Sequence, residues 1–99
     1  MKAAFDSLRD GLVRTLRADY GIQAEVCVLP LRPTKVVRFY AISDDFERLR
    51  HAERQNVVWR IVKRFLGADD RRLIGSIVTC TIEEAEDEED LQKLRKRVK

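Results

Sequence analysis

The chain has 99 residues, of which 44% are hydrophobic and 37% are charged. A chain of this length forms one domain, and its longest apolar runs are far shorter than the roughly 20 residues that span a bilayer. Asp6, Arg9 and Asp10 interrupt the segment in which a secretory signal would be apolar. We therefore expect one cytoplasmic domain with no membrane partner.

The formal net charge of +3 conceals a separation of charge along the chain. Residues 83–90 hold seven acids and no base, and residues 91–99 hold five bases and no acid. The first 82 residues hold 15 bases and 10 acids. A basic body is compatible with nucleic acid or with an acidic protein surface as a partner, and net charge alone specifies neither.

The first predicted element is an amphipathic helix over residues 2–20. Its apolar side chains recur at steps of three and four and gather on one face, namely Phe5, Leu8, Leu12, Leu16 and Tyr20. Gly21 is placed to end this helix, because glycine adopts the left-handed conformation at little cost.

Two strands are predicted next. Residues 22–29 alternate between apolar and polar side chains, which is typical of a strand. Pro30 and Pro33 end that strand, because proline donates no hydrogen bond to a ladder. Residues 35–43 are rich in β-branched and aromatic side chains, and we expect them to form a second strand antiparallel to the first.

A short turn is predicted over residues 44–49 and a long helix over residues 51–66. The apolar face of that helix consists of Val57, Val58, Ile61, Val62, Phe65 and Leu66. After a polar stretch, residues 73–82 alternate and contain no proline, which predicts a third strand, and we expect it to be the central one.

The charged C-terminal segment is predicted to be helical, because acids near a helix N-terminus and bases near its C-terminus complement the macrodipole. The resulting order is αββαβα. It predicts an α+β fold in which helices pack on one face of a three-stranded mixed sheet. We expect residues 1–86 to form the domain and residues 87–99 to form a charged helical tail.

Short motifs between Ile42 and Glu84 give a clue to the family. The first motif is S-D-x-F, formed by Ser43, Asp44 and Phe46. The second is Arg54 followed by the apolar helix residues Val57, Val58 and Trp59. The third is T-x-T-x-x-E at the end of the third strand, formed by Thr79, Thr81 and Glu84. This set resembles the BolA-like family, whose fold is a variant of the class II K-homology arrangement. The resemblance implies a non-catalytic adaptor that binds a protein partner in iron–sulfur or stress-related regulation.

The chain departs from this family where the resemblance would place metal ligands. Family members that share an iron–sulfur cluster with a monothiol glutaredoxin carry a histidine beside the matching arginine, and here that position is Gln55. The loop between the first two strands reads LRPT and supplies neither histidine nor cysteine. Cluster iron prefers thiolate or imidazole to an amide, so we expect no cofactor and no metal site. His51 and Cys27 are the alternatives for a substitute ligand, and Arg48 replaces the glycine expected after Phe46.

The long helix and the adjoining sheet edge are the predicted partner-binding surface. Its candidate residues are Arg50, Arg54, Gln55, Trp59 and Arg60. A monothiol glutaredoxin is a possible partner by resemblance alone, and the oligomeric state is not defined by the sequence.

Nucleic-acid binding through the basic side of the long helix is the alternative function. The residues that would contact phosphate are Arg48, Arg50, Arg54, Arg60, Lys63, Arg64, Arg71 and Arg72. The same residues are more typical of a solvated helix face balanced by Glu47, Glu53, Asp69 and Asp70. No GxxG loop occurs, and K-homology domains need that loop to approach an RNA backbone.

Enzymatic activity is not expected. The chain has one histidine and lacks a Gly-rich phosphate loop, a GxSxG elbow and an HExxH segment. Cys27 and Cys80 occupy apolar positions of predicted strands, which is typical of unpaired thiols that pack as small hydrophobic groups.

Overall fold

A computed structural model of the chain describes residues 3–98, except for the side chains of residues 3, 97 and 98. Met1, Lys2 and Lys99, which the predicted first helix, domain and tail include, lie outside the described residues. The elements are α1 (Ala3–Tyr20), β1 (Glu25–Pro30), β2 (Val37–Ile42), a 3₁₀ turn (Asp44–Arg48), α2 (His51–Phe65), α3 (Ala68–Arg71), β3 (Ile74–Cys80), α4 (Ile82–Glu86) and α5 (Glu89–Val98).

The three strands form one mixed sheet in the order β1-β2-β3. β1 pairs antiparallel with β2, and β3 pairs parallel with β2. The α+β class, the element order and the mixed sheet are confirmed. The prediction that residues 73–82 form the central strand is wrong, because the hairpin places β1 on one side of β2 and the connection through α2 returns β3 to the other side.

The main core lies between the sheet and the helices α1 and α2. Leu8, Leu12 and Leu16 of α1 and Val58 of α2 have no exposed surface, and they pack with Phe39 of β2. This core confirms the buried face predicted for α1 and, on the long helix, for Val58, Ile61 and Val62. Phe65, which was predicted on the same face, is instead 43% exposed. The two helices therefore form one layer on the sheet.

The C-terminal helices cover the opposite face. Side chains of successive strand residues point to opposite faces, so Tyr40 and Cys80 face away from α1 and α2. They form a second core with Ala85 of α4 and Leu91 of α5, both fully buried. The prediction that the helices share one face is thus correct for α1 and α2 and wrong for α5, since both faces of the sheet are apolar.

Two ion pairs tie α5 to the sheet. Arg38 of β2 lies 3.6 Å from Asp90, and Arg95 pairs with Glu25 of β1. These contacts and the burial of Leu91 place residues 89–96 against the sheet.

The end of α1 explains why the first strand is shorter than predicted. Gly21 has a φ of 65°, and the N–H of Ile22 donates to the carbonyl of Leu16 at 2.9 Å. These features are typical of a glycine-terminated helix, as predicted. Because Ile22 belongs to this cap, pairing begins only at Glu25.

None of the helices within residues 3–98 is both long and apolar enough to cross a membrane.

Candidate functional site

The 3₁₀ turn before α2 is fixed by hydrogen bonds on both sides. Ser43 Oγ accepts from the N–H of Asp45 at 3.1 Å, which caps the turn. The carboxylates of Asp44 and Asp45 accept from backbone N–H groups elsewhere in the fold, those of Ile82 at 3.1 Å and Gln23 at 2.9 Å. The turn therefore sits at a defined position where α1, α4 and α2 meet.

Arg54 joins this turn to the end of β3. Its Nε donates to the carbonyls of Phe46 at 2.8 Å and Leu49 at 3.1 Å, and its Nη1 lies 3.1 Å from Glu84 Oε1. The guanidinium carbon lies 5.9 Å from the centroid of the buried Phe46 ring. Only 11% of the Arg54 side chain is exposed, and its Nε and Nη1 donate to groups of the fold.

Glu84 closes the same network from α4. Its carboxylate accepts from the N–H of Thr81 at 2.7 Å, and its own N–H donates to Thr81 Oγ1 at 3.2 Å, which is a capping box. The Thr81 N–H and the guanidinium of Arg54 lower the pKa of Glu84. Thr81 and Glu84, from the T-x-T-x-x-E segment, therefore have a structural role.

Gln55 links α2 to β3. Its Nε2 donates to the carbonyl of Ile77 at 2.8 Å and lies 3.4 Å from Thr79 Oγ1. The N–H of Ser43, which follows β2, donates to the carbonyl of Cys80, so the Cys80 carbonyl points towards β2. Because backbone carbonyls alternate in direction along a strand, those of Ile77 and Thr79 point towards the open edge of β3. Gln55 thus covers part of a strand edge, and its amide is engaged within the fold.

Among the predicted site residues, Trp59 has a side chain that is held by a hydrogen bond within the fold and is also partly exposed. Its Nε1 donates to Gln55 Oε1 at 3.2 Å, one helical turn away, and its ring packs partly against the main core. Asn56, Arg60 and Lys63 are exposed and lie one turn or less from it along α2. The side chains of Arg60 and Lys63 have no hydrogen bond or ion pair with any residue in the described part of the chain.

The remaining predicted cations differ in whether their side chains have partners within the fold. Arg64 pairs with Asp19 at 3.2 Å, Arg48 Nε donates to the carbonyl of Asp45 at 3.3 Å, and Arg71 Nη1 donates to the carbonyl of Leu66 at 3.4 Å. Arg50 is exposed just before α2, and Arg72 is exposed just after α3. With Arg54, four of the eight residues predicted to contact nucleic acid thus donate to groups of the fold.

The two alternatives for a substitute metal ligand lie on opposite sides of the sheet. His51 is exposed at the start of α2, whereas Cys27 faces the second core beside α5. Burial and the neighbouring carboxylate of Glu25 raise the pKa of the Cys27 thiol, and burial raises that of Cys80 to about 11. Both cysteines are unpaired, as predicted. Among residues 3–98, no three His, Cys, Asp or Glu side chains are arranged to hold a metal ion.

Asn56 was not among the predicted site residues. The spacing of 56, 59, 60 and 63 follows the helical repeat, so this signal was available in the sequence. Glu84 as the partner of Arg54 was not predictable in this way, because no local repeat relates residues on different elements.

Comparison of the chain with protein-family models, with curated proteins and with solved structures finds no match. Kinship with the BolA-like family therefore stays a prediction.

Proposed function

We propose that this chain is a non-catalytic, BolA-like adaptor that binds a protein partner through α2. The contact surface consists of Asn56, Trp59, Arg60 and Lys63, and we call it the Trp59 surface. The observation that carries the proposal is a partly exposed tryptophan whose indole N–H is bound by Gln55, next to two exposed cations without partners in the described part of the chain.

A tryptophan in this setting suits an interface anchor. Tryptophan and arginine are enriched among the few residues that dominate binding energy at protein interfaces. The Gln55 amide is itself bound to the Ile77 carbonyl, so the Trp59 ring is oriented before a partner arrives. A preorganised anchor loses less conformational entropy on binding, which favours affinity.

The role of two predicted contact residues changes in this proposal. Arg54 and Gln55 are positioning residues, since their polar groups bind Phe46, Leu49 and Ile77. Arg54 fixes the start of α2, and Gln55 fixes the Trp59 ring. Neither needs to touch the partner.

Two observations support the BolA-like part of the proposal. The element order with an antiparallel β1–β2 pair and a parallel β2–β3 pair is the one that the resemblance implies. In addition, motif residues that are distant in sequence contact one another, as Arg54 does with Phe46 and Glu84.

The partner is proposed to present an acidic surface. The Trp59 surface contains two cations and no carboxylate, and complementary charge accelerates encounter and selects among partners. The resemblance makes a monothiol glutaredoxin the first protein to test. Cluster iron prefers thiolate or imidazole ligands, and the amide of Gln55 already donates to the carbonyl of Ile77. We therefore propose that the chain contacts a glutaredoxin without ligating its iron–sulfur cluster.

Nucleic-acid binding is the second candidate, and the observation that favours it is again the pair Arg60 and Lys63, whose side chains have no partner among the residues that the structure describes. Phosphate contacts release counterions, so such binding weakens steeply with salt. Gel shifts with duplex DNA and single-stranded RNA at low and high salt separate the two functions. A salt-sensitive shift that Lys63→Glu abolishes would favour nucleic acid over a protein partner.

Site-specific photo-crosslinking tests the proposal. A photoreactive phenylalanine analogue is placed at Arg60 and, as a matched control on another face, at Lys93 of α5, which is also exposed. In native lysate we expect a discrete protein adduct from position 60 that is absent from position 93 and is lost when Trp59→Ala is added. Equal adducts from both positions, or adducts insensitive to Trp59→Ala, would contradict the proposal.

A further inference from the structure

A cavity of about 480 Å³ opens at the end of the sheet where β2 and β3 begin. Its walls come from three parts of the chain: Phe5 of α1, Pro30 and Val36 from the hairpin, and Leu73 just before β3. None of the residues that line it belongs to the Trp59 surface. This volume is within the range typical of sites for small molecules.

Local backbone features shape this cavity. β2 and β3 shift register between Val37 and Arg38, and Gly75 is the extra residue of that β-bulge. A Cβ at Gly75 would lie 2.6 Å from Val36 Cγ1, so glycine leaves the space in which the Val36 side chain packs. The valine then forms part of the cavity wall.

The hairpin loop that carries the polar rim is also fixed. The N–H of Thr34 donates to the carbonyl of Leu31 at 3.0 Å, and the N–H of Val36 donates to Thr34 Oγ1 at 3.2 Å. These hydrogen bonds define the path of the loop between the two cationic residues, Arg32 and Lys35. These hydrogen bonds fix the backbone of the loop that lines this side of the cavity.

The charge at the rim has one sign. Arg32 and Lys35 are exposed and line the cavity, and none of the described lining residues is acidic. Neither side chain has an ion pair or hydrogen bond with another residue in positions 3–98. Two unpaired cations beside an apolar wall complement a molecule with a single anionic end and an apolar body.

We propose that this cavity binds a small apolar carboxylate, with the carboxylate at Arg32 and Lys35 and the apolar body against Phe5, Val36 and Leu73. A carboxylate gains charge-assisted hydrogen bonds from these cations, and the body gains from burial of apolar surface. The inference does not depend on the proposed function, because the two surfaces share no residue.

A chemical-shift titration of the 99-residue chain with phenylpropionate tests the proposal, with phenylpropanol as the neutral analogue of the same shape. We expect saturable shifts of the backbone amides of Thr34, Lys35 and Leu73. We expect the alcohol to bind about tenfold more weakly, because it lacks the charge that the rim complements.

The variant Arg32→Gln/Lys35→Gln is expected to weaken phenylpropionate binding by about tenfold or more. The matched control is Arg17→Gln on α1, an exposed cation whose side chain has no ion pair or hydrogen bond in the described part of the chain, and it should leave binding unchanged. Arg32, Lys35 and the control residue are all exposed, and the spectra themselves report whether the variants fold. The proposal is overturned if no saturable shift occurs, if the shifts lie elsewhere, if the alcohol binds equally well, or if the double variant binds like the unmodified chain.

Discussion

Arg54 Nη1 lies 3.1 Å from Glu84 Oε1, although the two residues are 30 positions apart in the sequence. The same guanidinium donates through Nε to the carbonyls of Phe46 and Leu49. One side chain thus joins the turn before α2 to the helix that follows β3. Phe46, near the start of the segment that resembles the BolA-like family, and Glu84, at its end, are therefore linked through Arg54.

Replacing Arg54 should destabilise the fold substantially. Arg54→Ala removes the donor to the Leu49 carbonyl and the cation beside Glu84, and we expect a loss of about 2–4 kcal/mol in the free energy of unfolding. Urea unfolding of the variant and the unmodified chain measures this difference in the free energy of unfolding. Arg60→Ala is the matched control on the same helix and should change stability by no more than about 0.5 kcal/mol. Equal effects of the two replacements would show that the Arg54 network does not stabilise the fold.

The Glu84 carboxylate should make stability depend on pH. Its pKa in the fold is lower than the ordinary value of 4.5, so its contribution is complete above that value and is lost as the pH falls through the lowered pKa. We expect the stability difference between the unmodified chain and Glu84→Gln to shrink between about pH 6 and about pH 3. Carbon-detected NMR of the Glu84 carboxyl should give a midpoint below 4.5. A midpoint at or above that value would contradict the network.

Helix α5 should contribute to stability through Leu91. This side chain has no exposed surface and packs with Tyr40 and Cys80, so Leu91→Ala should cost about 2–4 kcal/mol. Leu94→Ala, at a partly exposed position of the same helix, is the control and should cost clearly less. Thermal or urea unfolding distinguishes them. If Leu91→Ala were as mild as Leu94→Ala, α5 would not be packed on the sheet.

The two thiols should react slowly in the folded protein. Cys80 is 3% exposed and burial raises its pKa to about 11, which leaves little of the reactive thiolate at neutral pH. Labelling with a disulfide reagent should be at least about tenfold faster in urea than in buffer for the variant Cys27→Ala, which retains Cys80 alone. Rapid labelling of Cys80 under native conditions would show that the second core is open.

Much of this fold was predictable because each main-core element carries its own periodic signal. Leu8, Leu12 and Leu16 mark the buried face of α1 without reference to the rest of the chain. Leu91 carries a weaker signal, because only Leu94 and Val98 accompany it as a thin apolar stripe in a highly charged segment. Its burial depends on Tyr40 and Cys80, which come from two other elements and meet it only in the folded sheet.

The placement of the candidate residues on α2 was predictable, but the hydrogen bonds of their side chains were not. The sequence marked Arg54, Gln55 and Trp59 as neighbours on one helix. It could not show that Arg54 and Gln55 direct their donors to backbone carbonyls while Trp59 remains partly exposed. That distinction depends on where β3 and the turn before α2 lie relative to the helix, which only the tertiary structure defines.

The central claim is that Trp59 anchors a protein partner, and calorimetric titration of the partner captured at position 60 tests it most directly. Trp59→Ala should weaken binding by about tenfold or more, whereas Leu94→Ala on α5 should leave the affinity unchanged. An unchanged affinity of Trp59→Ala for that partner, with the variant shown to be folded, would contradict the account.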